Sequence, residues 1–566
     1  MRAGDQRRVL PTRREVIAAA SASALAVTAG AGLAQRPTSA SGFVFHDRSG
    51  TGRRRTGDPG VAGVMVSNGR DVVRTDADGR WRLPISDGDS IFVVKPPHWA
   101  IPKGNNGLPH FSYLHHPTVS PNRGASRQGM AAIGELPATI NFPLTRREES
   151  ARFEALLLAD TQPENDAELA YLREDIIART LSSGAEFAIN HGDIVFDDLS
   201  LYPRYLRLVG ASGLAWHHCP GNHDINSDAR DDRTSRETWK RVFGPRHYAF
   251  QHANATFIVL DNVHYFGHNP GTPSSGRYCG LIGTQQLQFV RNVLAHIAPE
   301  QLVVLSMHIP LVNYQDASNA ADNTFDRRAL LELLSSRRHT VSFSGHMHLT
   351  EHHYLGLEDG FRGPVPHHHH VLTAASGAWW GGPKDGRGIP AADSQDGTPN
   401  GFHILSVEGS AYTTRFVPAA GKAEGQIRAV VDGPDRRNLT TPVFGHCRTL
   451  ARHQLAASEL VVNVFDGGPS TRVAFEISGR GSPPIPLQRT GTADPYIVEM
   501  FARNGSTQKP WARPVPSAHL WRAPLPLDLS PGAHHLSIRA TDEYGRQLTA
   551  HLMLEVAEPG AAPSRA

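Results

Sequence analysis

Cysteine is nearly missing from this 566-residue chain: Cys219, Cys279 and Cys447 form an odd set with no repeated spacing. That excludes a disulfide framework, so the fold must rest on hydrophobic cores. Long apolar runs are missing too. The mildest candidate, VIAAASASALAVTAGAGLA at residues 16–34, is short and Ala-rich, which excludes a stable membrane span. Charge of one sign is missing once that segment is set aside. Residues 1–34 hold five arginines against Asp5 and Glu15, a net of +3 that equals the net charge of the whole chain. The remainder sums to zero, and no electrostatic case for nucleic-acid binding survives. No Ser or Cys nucleophile elbow is visible either, and Cys219 reads as packing on a buried strand.

What is present suits a globular protein of two to four domains, with 39% hydrophobic and 20% charged residues. Thr12-Arg13-Arg14 heads the Ala-rich run, and small residues follow it. This layout predicts a twin-arginine-type export signal over 1–34, cleaved near Ala31 or Ala34, and a periplasmic or extracellular location without a membrane anchor. After a Ser/Thr/Pro linker at 35–42, residues 43–145 alternate apolar and polar positions. Asn68-Gly69 and Asp78-Gly79 mark their turns, so an N-terminal β-sandwich is expected. From 150 to 418 short apolar runs alternate with amphipathic stretches. Leu169, Leu172, Ile176 and Thr180 predict one helix over 166–181; Leu287, Val290, Leu294 and Ile297 predict another over 284–298. This is the pattern of a layered α/β domain. Past 420 helical periodicity fades, and 424–558 reads as a second all-β sandwich.

The central strands end in residues of one chemical kind. The first reaches Asp160-Thr161-Gln162 and the second Gly192-Asp193, with Asp197 and Asp198 beyond, expected to support the ligands rather than to bind an ion. Later ends carry Gly221-Asn222-His223-Asp224, Met307-His308 and Gly345-His346-Met347-His348. Ligands of open α/β sheets gather at the carboxyl ends of strands, so these groups belong together in space. Two Asp, one Asn and three His, with Gln162 as a seventh group, suit Zn, Fe or Mn. They exceed what one tetrahedral ion uses. Two ions roughly 3.5–4 Å apart, bridged by a carboxylate, are expected.

The order D-x-[HQ], GD, GNH[DE], H and GHxH over about 152–350 resembles the calcineurin-like metallophosphoesterase superfamily. The resemblance implies a metallophosphoesterase β-sandwich core flanked by helices. It implies one metal on Asp160, Gln162, Asp193 and His348, and another on Asp193, Asn222, His308 and His346, with Asp193 bridging. His223 would act as acid or charge stabiliser beside the leaving group, with Asp224 expected to orient it. The superfamily usually has His where Gln162 stands. An amide oxygen is harder than an imidazole nitrogen, which tilts that site toward Mn or Fe. Two such ions lower the pKa of a bridging water, and the resulting hydroxide would attack the phosphorus of a mono- or diester or pyrophosphate.

A narrower likeness, to exported members with accessory β domains, rests on three later segments. They are His367–His370, then Gly377-Ala378-Trp379-Trp380-Gly381, then Asp396-Gly397-Thr398-Pro399-Asn400-Gly401-Phe402. If the four histidines lie on a strand, two at most face one site. With the metal positions already filled, His367, His369, Trp379 and Trp380 are expected in the substrate wall. The expected substrate is a phosphorylated small molecule, a lipid or a cell-envelope glycan. The alternative reading is an exported surface-binding protein with an inactive metal centre. An inactive centre has no need of all seven groups, which argues against it.

Overall fold

A computed structural model describes residues 38–119, 130–268, 277–422, 425–434, 449–503 and 508–557. The expected export segment and Cys447 lie outside the described residues. No helix among them is long and apolar enough to cross a membrane. The chain divides into two compact units. One runs to Met347 and includes Tyr354–His370 and Ile404–Thr414; the other takes His348–His353, Val371–His403 and the chain from Arg415.

The first unit opens with two four-stranded sheets. One orders Arg80–Ile85, Thr38–His46, Ile140–Arg146 and Trp99–Ala100; the other orders Val72–Arg74, Met65–Ser67, Ser90–Val93 and Ser112–Leu114. The first strand begins at Thr38, inside the expected linker, because residues 38–43 pair antiparallel with 80–85. Phe92 meets Phe289 at 5.7 Å and Phe111 meets Tyr248 at 4.9 Å, so the second of these sheets is seated on the central layers. Lys240 Nζ donates to Gly88 O at 2.8 Å across the same seam.

Two further sheets form the central core. Arg152–Leu158, Phe187–Asn190 and Ala215–His218 run parallel, extended by the strands at Gly401–Glu408 and Ala411–Pro418. Ala255–Val259, Leu302–Ser306 and Thr340–Ser344 run parallel in the second sheet, which continues to His367–Val371 and Glu351–Leu355. Near-continuous apolar runs such as LVVLS fit strands covered on both faces. The sheets face one another through aromatic rings: Phe187 of the first lies 5.1 Å from Phe257 and 5.3 Å from Phe250 of the second. Phe257→Ala should therefore cost about 3–5 kcal/mol, as buried aromatic deletions do. The midpoint of urea unfolding measures it.

The helix at 166–180 forms where its spacing predicts. Asn165 caps it by accepting from the Ala167 and Glu168 amides, and Leu169, Leu172, Ile176 and Thr180 are all buried. Its middle turn, Arg173–Ile177, is π-helical. The second helix spans Gly283–Ala295 and buries Val290 and Leu294 as expected, with Ile297 buried just beyond it; Leu287 is half-buried, and the inward face widens to take in Gln286, Phe289 and Val293. Gln286 goes inside because its amide clasps the Asp261 backbone, accepting at 2.9 Å and donating at 2.6 Å. Apolar spacing alone cannot register such a bond.

The second unit carries a four-stranded and a five-stranded sheet around a core that includes Phe475, Trp521, Leu536 and Leu554. One helix, Pro495–Arg503, interrupts the expected all-β reading. Asp494 accepts from the Tyr496 amide at 2.9 Å ahead of Pro495, while Ile497, Met500 and Phe501 pack on Ala378. The Asp-Pro start and the i, i+3, i+4 apolar set were the available signal.

Candidate metal centre

Loops leaving the carboxyl ends of the central strands bring seven expected residues of the first unit into one linked group. Asp193 lies at its middle. Its Oδ2 accepts from Gln162 Nε2 at 2.9 Å and faces His308 Nε2 at 3.2 Å, while its Oδ1 accepts from the His223 amide at 2.8 Å. Asn222 Oδ1 is 3.0 Å from His308 Nε2, and His346 Nδ1 is 3.2 Å from the same nitrogen. Asp160 accepts from the His346 amide through both oxygens, at 3.1 and 2.9 Å. One ligand atom each from Asp193, His308 and His346 lies within 4.8 Å of the others, close enough to share a metal ion.

The backbone is bent to achieve this. Ten non-glycine residues with positive φ occur among the described residues, and eight belong to these motifs: Asp160, Gln162, Asp193, Asp197, His346, His348, Trp379 and Trp380. Such conformations cost of order 1–3 kcal/mol each and persist where the surroundings hold them. Glycines leave the necessary room. A Cβ on Gly192, Gly221 or Gly345 would come within 2.5 Å of His308 Nδ1, 2.1 Å of Asp193 Oδ1 and 2.4 Å of Asp160 Oδ2, respectively.

The donor set fits a cation on two observations. Gln162 Oε1 is buried without a hydrogen-bond partner although Nε2 of the same amide is bonded, which leaves the oxygen as a donor atom for an ion. His308 Nδ1 donates to His191 O at 2.8 Å, fixing the ring so that Nε2 faces Asp193. The charge balance agrees. Burial would raise the Asp193 carboxyl, but His308 and His223 hold it well below the usual carboxylate range. Burial would lower the His308 ring, but Asp193 pushes it up to about 9. Burial, with Asp193 adding to it, moves Asp160 upward. The cluster favours positive charge, which a bound ion supplies by displacing a proton.

Three family models match in chain order: N terminal of calcineurin-like phosphoesterase over 48–125, calcineurin-like phosphoesterase over 154–349, and C terminal of calcineurin-like phosphoesterase over 369–548. The chain belongs to the calcineurin-like phosphoesterases. It is a metal-dependent phosphoesterase. Among solved structures, purple acid phosphatase PPD1 from yellow lupin (Lupinus luteus) seeds is similar at 10% identity and a TM-score of 0.34, over 63% of this chain and 67% of that one. No curated protein matches the sequence.

Within this phosphoesterase, Asp224 does not orient His223. The tight Gly221–Asp224 turn throws consecutive side chains apart, and Asp224 instead accepts from the Gly221 and Ile194 amides and the Tyr202 hydroxyl. Asp197 takes the orienting position. Its Oδ1 accepts from His223 Nδ1 at 2.8 Å, while the ring stacks on Phe196 at 4.4 Å. Asp322 was not legible in advance; its Oδ1 is 3.2 Å from His346 Nε2, and nothing in the 316–324 loop sequence marks it.

The second unit holds His348. Its Nδ1 donates to Gly377 O at 2.5 Å and its ring stacks on Trp379 at 4.0 Å. Trp511, not anticipated, meets Trp379 edge-on at 6.0 Å and is 39% exposed. Trp380, expected in the same wall, is buried, at 3% exposed.

The four histidines form the strand His367–Val371, and all are buried. His367 bonds Thr340 and Ser342 through its two nitrogens, at 2.8 Å each, and burial pushes its ring down to about 3. His369 Nδ1 donates to Ser342 Oγ at 2.7 Å, and Nε2 accepts from the Leu311 amide at 3.1 Å. With both nitrogens engaged beneath the surface, neither ring reaches a substrate. His369 instead fixes the backbone three residues beyond His308. On the opposite parity His368 stacks on Tyr354 at 4.9 Å and bonds the Tyr412 hydroxyl. Cys219 is likewise internal, with Sγ 3.0 Å from Leu260 O and its thiol raised by burial.

Proposed function

We propose that this phosphoesterase is an exported enzyme with a two-metal centre, acting on phosphate mono- or diesters or pyrophosphate linkages of a small molecule, lipid or cell-envelope glycan. The observation that carries the reading is the seven-residue group around Asp193, with Gln162 Oε1 left bare beside it. Asp160, Gln162, Asp193 and His348 would hold one ion and Asp193, Asn222, His308 and His346 the other. Ions there polarise phosphoryl oxygens and lower the pKa of water. The amide oxygen of Gln162 favours Mn or Fe at its position. His308 and His346 keep their orientation through His191 O and Asp322, which limits motion of the donor atoms.

His223 delivers a proton to the leaving oxygen. Asp197 on Nδ1 stabilises positive charge on the ring and leaves Nε2 as the donating atom, on the side where it approaches Asp193 Oδ2 to 4.0 Å. Export is read from the twin-arginine-like segment before residue 35.

Trp379 and Trp511 make an aromatic corner beside His348, suited to stacking on a planar or apolar leaving group. Aromatic contacts of this kind are worth about 0.5–1.5 kcal/mol. Trp511→Ala should then raise KM for an aryl phosphodiester about 3- to 10-fold and leave kcat and alkyl-ester KM unchanged. An equal loss on aryl and alkyl esters would remove Trp511 from the wall. Turnover of metal-loaded protein on bis-p-nitrophenyl phosphate, p-nitrophenyl phosphate and nucleoside diphosphates tests the function itself. Hydrolysis of one class is expected; silence on all three would sink the reading.

A further inference from the structure

Within the first unit the metal cluster has a backbone support that lies outside the ligand motifs. Asn262 follows the strand Ala255–Val259 and is fully buried. Its Oδ1 accepts from two successive amides, His308 N at 3.2 Å and Ile309 N at 3.1 Å. Its Nδ2 donates to Ile309 O at 2.6 Å and to Thr324 Oγ1 at 2.8 Å. Two acceptor and two donor positions are all that a side-chain amide has, so each is used and the amide can face only one way. Thr324 closes the base of the loop that carries Asp322. Its amide and its hydroxyl both donate to Pro310 O, at 2.8 and 2.9 Å. The residue before Asn262 is anchored as firmly: Asp261 takes the fully buried Arg236 guanidinium on both oxygens, at 3.0 and 3.1 Å.

We propose that Asn262 is a positioning residue for the ion held by His308 and His346. Its role rests on the reading of those two histidines as ligands. His308 is fixed from both ends: Asn262 holds its backbone amide, and His191 O accepts from Nδ1 of its ring. A small rotation of the peptide between Met307 and His308 would be magnified at Nε2, the far end of the ring. Functional atoms of this kind must be held to within about 0.5 Å. The support extends toward His346 by two routes. His308 O accepts from the Gly345 amide at 3.0 Å. Asn262 also grips Thr324, two residues past the Asp322 that stands 3.2 Å from His346 Nε2. Aspartate in place of Asn262 has no donor for Ile309 O and Thr324, and serine is too short to serve both sides at once.

Titration of the metal-stripped full-length chain with Mn²⁺, followed by the EPR signal of free Mn²⁺, gives the test. Wild type should take up two equivalents. In Asn262→Ala one equivalent should weaken about 10- to 100-fold, the usual cost of losing a group that orients a ligand, while the other stays within about 3-fold. The Mn²⁺ concentration at half-maximal rate should rise by the same factor, and kcat should return toward wild type at saturating Mn²⁺. Thr324→Val removes the hydroxyl and keeps the shape; it should weaken the same equivalent about 3- to 10-fold, the size of one hydrogen bond. Thr324→Ser, which keeps the hydroxyl, should bind as wild type does. The threonine pair answers the question even if Asn262→Ala fails to fold. Unchanged Mn²⁺ uptake in either folded variant, or equal weakening of both equivalents, would make Asn262 a structural residue only and overturn the proposal. A wild-type chain that took up no Mn²⁺ would instead defeat the ligand reading itself, and the role of Asn262 with it.

Discussion

Asp193→Asn is expected to abolish turnover and to strip the catalytic centre of metal. The substitution keeps the shape of the side chain and removes its charge. That charge holds three things at once: it faces His308 at 3.2 Å, accepts from Gln162 Nε2, and accepts from the His223 amide. An amide in its place leaves one oxygen and turns a donor toward His308 or Gln162, so cations are repelled where they were held. Loss of one preorganised electrostatic group costs about 10²–10³ in rate. Asp193, as the carboxylate expected to serve both ions, should lie at or beyond the upper end of that range. Turnover and elemental analysis on the same preparation read the result together. A variant that kept its full catalytic metal would refute the ligand assignment, whatever its rate.

His223→Ala separates chemistry from metal binding. The ring is not among the proposed ligands; Asp193 meets His223 through the backbone amide, which alanine retains. Metal content should stay at the wild-type value while kcat falls by about 10²–10⁴, the usual contribution of a positioned proton donor. The loss should be largest on esters with basic leaving groups and smallest on nitrophenyl esters, whose leaving group hardly needs a proton. Asp197→Asn should fall between wild type and His223→Ala, because the ring remains but loses the carboxylate at 2.8 Å from Nδ1. Near-wild-type rates across pH and leaving groups for His223→Ala would end the acid role.

How much of this could be read from the chain depended on range. The strand-end motifs were legible because each couples a short apolar run to an abrupt polar turn, as in LVVLS followed by Met307-His308. Their convergence follows from parallel strands that share one carboxyl edge. The partners of those motifs were legible only in part: Asp197 was expected to support the site, but not which side chain it holds. Asp224 adjoins His223 in sequence yet braces the Gly221 and Ile194 amides, whereas Asp197, 26 residues back, holds the ring. Sequence adjacency in a tight turn favours divergence of side chains. The histidine strand shows the same limit. Its alternation was predictable from the strand period, but only the structure shows that Thr340, Ser342 and Ser344 wait on the neighbouring strand to bond His367 and His369. Trp511 comes from the C-terminal unit, where alternating apolar patterns mark strands and nothing in the sequence marks its contact with Trp379.

The central claim, that the Asp193 cluster performs metal-dependent hydrolysis of phosphoesters, meets its most direct test in the wild-type chain. Protein stripped with a chelator is titrated with Mn²⁺ while hydrolysis of bis-p-nitrophenyl phosphate, p-nitrophenyl phosphate and a nucleoside diphosphate is followed. No turnover is expected after stripping, and recovery should saturate near two equivalents of catalytic metal per chain. Turnover that survives complete removal of metal would contradict the claim.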